Sequence, residues 1–517
     1  MDMPHDKERY PREEGNGADL EREATLNFEQ PFPDLSHEPS HQVRELNRAT
    51  LIATEWTGPD DPDNPRNFSL TIRVLSTAAV TMLAFVGTFA GSIYSGSEDE
   101  IMRVFDIGEE VANLPLALYN LGLAFGPLIG APLSETYGRK IVFITTTPIF
   151  ALFTLGGGFS KTIYSLVICR FFAGVFAAPA ISNASSTIND FTAGRYRAIS
   201  LAFYFSLPIF GASFGPLVGG LVTQAMNWRW TFWITLFCLI AFYIPVLCTR
   251  ETYKRRILEK RAKKLGLDET FSRRRTGPEM ARYFLTVLLL RPMHMLCTEP
   301  IVTMVCLYNG FLYGLTYAFV VAVPWIYKQY YGFGTTAQSL SFLGLCVGSL
   351  MGPIPLIIID LYFYQPRLKR WRQNHDASEQ LPPENRLMPA MSASFMLSAA
   401  LFIFAWTAEY RVHWIVPIIF QAIINLCSLM VYSGANTFML DAYGPLYGAS
   451  ASGAAMLTRY AFSTAFPLFA LQMYRGLGVG WATSLLAFLA LVLAPIPFMF
   501  YKYGERMRKR SRYETSS

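Results

Sequence analysis

Two arginines, Arg170 and Arg459, stand several residues inside long apolar runs. A charge there costs at least about 2.5–3.5 kcal/mol, so such residues are functional candidates by default. Gly174, Ala178 and Ser182 follow Arg170 at helical spacing and make a narrow face of small residues. Arg170 either faces a cavity along that stripe or pairs with carbonyls and polar side chains to lock helices together. Arg459, in Leu457-Thr-Arg-Tyr-Ala461, either faces a cavity or is neutralised by Asp441. The same runs carry Tyr119, Asn120, Tyr204, Tyr308, Asn309, Tyr313, Tyr317, Asn425, Tyr432 and Asn436. Phenols and amides inside apolar segments suit a pocket for an amphipathic organic molecule, and equally suit bonds between helices.

Catalytic patterns are missing. There is no Gly-x-x-x-x-Gly-Lys-Ser/Thr loop to cradle a nucleotide and no HExxH zinc motif. The few histidines form no ligand cluster, and the seven cysteines lie in or beside apolar runs without CxxC spacing. The cysteines read as small packing residues. Neither an enzyme nor a bound metal or cofactor is expected.

The elements that must position these residues are membrane spans. Of 517 residues, 52% are hydrophobic and only 16% charged, where soluble domains carry about a quarter charged. Apolar runs of about twenty residues, enough to cross a bilayer, fall at 72–95, 111–132, 141–159, 163–187, 199–223 and 229–248. Six more fall at 298–326, 336–361, 388–407, 413–437, 449–473 and 479–501. The pattern predicts an all-α polytopic membrane protein of twelve transmembrane helices in two six-helix, pseudo-symmetric halves. The halves are 71–249 and 298–501. A polar, charge-mixed tail (1–70) is expected to be disordered, a basic linker covers 250–297, and a short tail covers 502–517.

Charge orients the array. Arg139, Lys140, Arg195, Arg197, the 250–291 segment, Arg367–Arg372 and the C-terminal cations all fall on one side. Glu98-Asp-Glu100, Asp106, Glu109 and Glu110 fall on the other. Cations stay cytoplasmic, so both termini and the linker are expected in the cytoplasm. The net charge of +6 is thus an orientation signal and not a nucleic-acid footprint. In the linker, Tyr253, Ile257, Leu258, Ala262 and Leu265 recur at helical spacing, as in a basic amphipathic helix on the inner membrane surface.

Two local patterns read as conformational. Ala131-Pro-Leu-Ser-Glu-Thr-Tyr-Gly-Arg-Lys140 joins two spans through a loop too short for anything but an antiparallel pair, with Glu135, Gly138, Arg139 and Lys140 at the surface. The expectation is a gate element in which Arg139 or Lys140 meets a helix end or a partner acid. Gly211, Gly215 and Gly219 share one helix face and permit close backbone approach. Pro216, beside them and Gly220, removes a helical hydrogen bond and can bend the span.

On these residues the chain resembles the major facilitator superfamily, and within it the fungal twelve-span drug:proton antiporter branch. Pro132-Leu-Ser-Glu-Thr-Tyr-Gly-Arg-Lys140 is similar to that family's loop between spans two and three, with Ala131 where many members have Gly. Leu166-Val-Ile-Cys-Arg-Phe-Phe-Ala-Gly174 resembles its fourth-span signature, and Gly211-Ala-Ser-Phe-Gly-Pro-Leu-Val-Gly-Gly220 its fifth-span antiporter signature. Asn227-Trp-Arg-Trp-Thr-Phe-Trp233, Arg250-Glu-Thr-Tyr253 and Tyr501-Lys-Tyr-Gly504 look like the fungal branch. In the second half Gly344, Gly348, Gly352 and Pro353, leading to Tyr362 and Arg367, echo Gly122, Gly126 and Pro127 leading to Tyr137 and Arg139.

The resemblance implies alternating access, proton-coupled export of a drug, toxin or secondary metabolite, and a coupling role for Arg170. The partners it implies are a small molecule, protons and the lipid bilayer, with the chain a monomer in a fungal plasma membrane. Members of the branch often carry Glu where Val321 stands in Phe319-Val-Val-Ala-Val-Pro324. Without that carboxylate, a cavity holding Arg170 and Arg459 is expected to favour anions or neutral molecules over polyamines. Export of an organic acid, or a membrane sensor that kept the fold and lost transport, are the alternatives.

Overall fold

The computed structural model describes residues 55–58, 60–192, 194–265, 282, 286, 289–375 and 381–513. The side chains of residues 128, 129, 131, 132, 135, 194, 195, 445 and 446 lie outside that description, as does most of the expected tail.

The first half consists of α1 (Leu70–Ser92), α2 (Glu109–Tyr137), α3 (Arg139–Gly158), α4 (Ile163–Phe191), α5 (Gly194–Ala225) and α6 (Arg229–Cys248). The second consists of α7 (Pro300–Tyr331), α8 (Thr335–Asn374), α9 (Met388–Glu409), α10 (415–443), α11 (445–477) and α12 (479–493, continued by Ile496–Arg508). Glycines with positive φ, Gly444 (58°) and Gly478 (75°), separate the last three spans, a conformation glycine reaches without steric cost. Ten segments among the described residues are long and apolar enough to cross a membrane. Adding the 29-residue α2 and dividing the 62-residue Tyr447–Arg508 segment at Gly478 makes the expected twelve.

Small residues set the packing. A Cβ on Gly122 would run into the carbonyl of Phe171, and one on Gly126 into Ala178, so α2 lies against α4 backbone to backbone. The second half repeats this. A Cβ on Gly344 would meet the carbonyl of Ile418, and one on Gly348 that of Ala422, which brings α8 onto α10. The glycine echo read in the sequence is therefore a repeat of helix contacts. Prolines 148, 179, 208, 216, 245 and 324 all sit within continuous helices, as membrane helices tolerate.

Three expectations need adjustment. α8 continues through a π-helical turn at Asp360–Tyr364 to Asn374, so Arg367, Lys369, Arg370 and Arg372 are on a helix and not in a loop. The predicted linker helix exists as Lys254–Lys264 with Leu258 and Ala262 buried. It is held by protein: residues 55–58 and 60–68, expected as disordered tail, fold onto it through Asp61, whose carboxylate takes both ends of the Arg261 guanidinium at 2.9 and 2.8 Å. Arg261 also reaches Asp63, at 2.7 Å.

Candidate functional site

The two buried arginines end in unlike environments. Arg170 on α4 is 4% exposed. Its Nη1 and Nη2 donate to the carbonyls of Ala90 and Gly91, both at 2.6 Å, and Nε to that of Pro115 at 3.4 Å. The guanidinium lies 4.4 Å from the Tyr119 ring centre and 5.3 Å from that of Tyr94. Carbonyls near the C-terminal end of α1 carry partial negative charge, so they hold this cation in place of an acid. Arg170 thus ties α4 to α1 and α2 through their carbonyls.

Arg459 on α11, also 4% exposed, has no carbonyl partner among the described residues. Nη1 donates to the Tyr432 hydroxyl at 2.6 Å and Nη2 to that of Tyr460 at 2.8 Å. Tyr313 and Tyr460 stand 4.4 and 4.5 Å from the guanidinium carbon. Asp441, the partner foreseen as the alternative to a cavity, belongs elsewhere: it accepts from Arg386 Nε at 2.9 Å. The reason is position, because Asp441 lies at the end of α10, beside the start of α9.

These groups meet where the halves face each other. Phe205 of α5 lies edge-on to Tyr432 of α10 at 5.4 Å, and the Asn120 amide of α2 donates to the Ser463 carbonyl of α11 at 3.2 Å. Asn425 donates to Ser213 of α5 at 3.2 Å and to the Leu345 carbonyl at 2.6 Å. Tyr119 donates to the Gly87 carbonyl and Tyr204 to that of Ile181, so both phenols lock helices within the first half. Asn436 is half-buried one turn beyond Tyr432. Several buried atoms have no partner among the described residues: the hydroxyls of Tyr308 and Tyr317, both amide atoms of Asn309, Oδ1 of Asn120, and Nε of Arg459. Leaving such groups unpaired costs about 1–3 kcal/mol each, and a set of them marks where a polar guest or water belongs. A separate groove of about 500 Å³ between α3 and α6 is lined by apolar side chains such as Leu152, Leu236 and Ile240, remote from this chemistry.

The expected gate element is built as a charge cluster. Gly138 precedes α3 at φ 101° and offers no side chain to cap it. The cap comes from Glu251, beyond α6: it accepts the Arg139 amide at 2.8 Å and the Lys140 amide at 3.1 Å. Arg139 Nε reaches Asp190 of α4 at 3.3 Å, its Nη1 reaches Ser134 at 2.6 Å, and Lys140 Nζ donates to the Leu247 carbonyl at 2.8 Å. A helix end or a partner acid for Arg139 or Lys140 was expected; Asp190 takes the Arg139 guanidinium, the Leu247 carbonyl at the end of α6 takes Lys140, and Glu251 takes the backbone amides of both. Glu135 lies on the last turn of α2, but its side chain falls outside the described residues.

The second half repeats this cluster with different residues. Arg386, at the start of α9, pairs with Asp441 of α10 and with Asp360 of α8 at 3.6 Å. It therefore occupies Arg139's place; Arg367, given that place from sequence, instead donates to Asn385 at 3.0 Å. The extension of α8 to Asn374 moved the register. A charged residue at the start of each third span and an acid at the end of each fourth is the signal that would have found both pairs.

The fifth-span glycines meet α1. A Cβ on Gly211 would lie 2.5 Å from Thr88 Oγ1; those on Gly215 and Gly219 would collide with Ser92 and Ile93. Gly220 abuts Ser339 of α8, in the other half, and Pro216 stays inside the continuous α5. Nearby, Thr336 bonds to Gln224, Arg475 grips Glu109 at 2.7 and 3.0 Å, and Gln472 donates to Glu110 at 2.9 Å. All these ties join the halves at the end remote from the tail segment and linker helix.

Two six-helix halves, tied at one end and enclosing unsatisfied polar groups where they meet, define a membrane transport protein. The comparisons agree. Residues 80–467 match the Major Facilitator Superfamily, and the chain belongs to that family. An MFS-type transporter, traF, from Penicillium crustosum is 34% identical over 95% of this chain and 98% of its own length. Efflux pump FUBT from Fusarium oxysporum is 36% identical over 87% and 76%. Among solved structures, the proton:xylose symporter XylE superposes with a TM-score of 0.58 at 14% identity, covering 84% of this chain and 96% of its own. The protein is therefore an integral membrane transporter of small molecules and not an enzyme.

Proposed function

We propose that this transporter exports a small organic compound, a drug, toxin or secondary metabolite, by alternating access driven by the proton gradient. The observation that carries the reading is the set of unpartnered polar atoms between the halves, with Asn309 and Tyr317 on the same face of α7 as Tyr313. In the ordinary course of rocking, the ties among α2, α5, α8 and α11 break while the opposite end closes. A unit charge crossing 100 mV supplies about 2.3 kcal/mol, enough for useful accumulation. The relatives with 34–36% identity include one named an efflux pump, which supports the outward direction. The cations gathered with the linker helix support cytoplasmic termini; the plasma membrane and the monomeric state belong to the proposal.

The test compares metabolites in cells and medium for a strain lacking the gene and its parent, with and without a protonophore. Compounds retained inside the deletion strain, and inside the parent once the gradient collapses, are the expected outcome. Identical profiles would refute export and favour a sensor that binds without transporting.

A further inference from the structure

The two arginines differ in one respect that bears on cargo. Arg170 is held by three carbonyl oxygens, so its charge is already opposed. Arg459 has only two neutral hydroxyls, its Nε–H has no partner, and no carboxylate lies within ion-pair distance among the described residues. A dry guanidinium in that state keeps a full uncompensated positive charge, a costly arrangement unless an anion completes it. Tyr313, Tyr432 and Tyr460 surround it with ring faces and edges, and Phe205 brings the first half against Tyr432.

We propose that Arg459 and its tyrosine cage recognise a singly charged organic anion, a carboxylate or an ionised enol or phenol, carried on a planar apolar body. One unopposed cation matches one negative charge, and the free Nε–H supplies a charge-assisted bond to it. The aromatic walls accept a flat ring system, by stacking or edge contact. Asn309, one turn from Tyr313 on α7 and 0% exposed, has both amide atoms open to a second polar group of the same guest. Because Phe205 of the first half packs on Tyr432 of the cage, binding there is sensed by the surface across which the halves must move. An ammonium ligand meets the opposite: a cation beside an unshielded cation.

The proposal rests on the exporter reading, and its test separates the two. Binding of 2-naphthoate, 2-naphthamide and 2-naphthylmethylammonium, alike in shape and differing in charge, is measured on the full-length wild-type protein in nanodiscs. The naphthoate is expected to bind about ten- to a hundred-fold more tightly than the amide, the value of a charge-assisted bond, and the ammonium most weakly. In Arg459→Gln the preference for naphthoate over naphthamide disappears while the naphthamide still binds; Arg459→Lys retains part of it. Equal affinities in the wild type, tighter ammonium binding, or no naphthoate binding overturns the proposal, and this charge series needs no variant to fold. Export can fail independently: intact charge preference with no gene-dependent metabolite retention would remove the exporter reading and leave the anion site standing.

Discussion

Glu251 is the residue whose removal tests the charge cluster most directly. Its Oε1 accepts the amides of Arg139, Thr252 and Tyr253 at 2.8, 3.0 and 3.0 Å, and Oε2 accepts that of Lys140 at 3.1 Å. It thus caps α3 from a distant part of the chain, since Gly138 cannot. Losing a side-chain cap costs about 0.5–2 kcal/mol, and losing a carboxylate at a helix N-terminus a further 0.3–1 kcal/mol or so. Glu251→Ala is therefore expected to destabilise the start of α3 by about 1–3 kcal/mol, raising local opening roughly 5- to 150-fold. Glu251→Gln keeps one acceptor oxygen and loses the charge, and should fall between. Hydrogen exchange of the peptide spanning residues 137–145, in the solubilised transporter, reads this directly. Gly138→Ala attacks the same contact from the other side: its Cβ would lie 2.5 Å from Glu251 Oε2, at a φ that side chains rarely adopt. Combined with Glu251→Ala it should cost less than the sum, because the collision has gone. Wild-type exchange in Glu251→Ala, or strict additivity of the pair, would refute the capping role.

Two other predictions follow from the ion pairs. Charge reversal at either Arg386 or Asp441 should lower thermal stability and transport, and the double exchange, Arg386→Asp with Asp441→Arg, should recover part of both. The pair is about a quarter exposed, so each single reversal should cost about 1–3 kcal/mol, between surface and buried values; no recovery in the double exchange refutes the pairing. The contact between the tail segment and the linker helix should depend on pH. Hydrogen bonds from the Arg261 guanidinium hold the Asp61 carboxyl well below its ordinary 3.8. A lowered folded value means the contribution is fully present above about pH 4 and is lost as pH falls through the folded value. A spin label at Gly58→Cys, where a Cβ meets nothing within 4 Å, should stay immobile at neutral pH and become mobile only in strong acid. Exposed Cys248 and Cys297 would be replaced by Ser for that measurement. Mobility at neutral pH would show that the segment is not held.

The amino-acid sequence by itself determined the twelve spans, the two halves and the charged turn at Gly138–Lys140, because each rests on local signals. Apolar length makes a span, a cation between spans orients it, and a glycine row marks a close approach. It also singled out Arg170 and Arg459 on cost alone. Only the tertiary structure decided what each arginine touches, since partners come from helices far apart in the chain. Arg170 met the carbonyls of α1, whose availability depends on where α1 ends against α4. Arg459 met tyrosines on α10 and α11, and Asp441 went to Arg386 because a helix end, once folded, can reach only neighbours at its own depth. Glu251 as the cap of α3, and Asp61 as the anchor of the linker helix, were invisible for the same reason. A carboxylate finds its amides through the packing of whole spans, and no spacing in the chain records that distance.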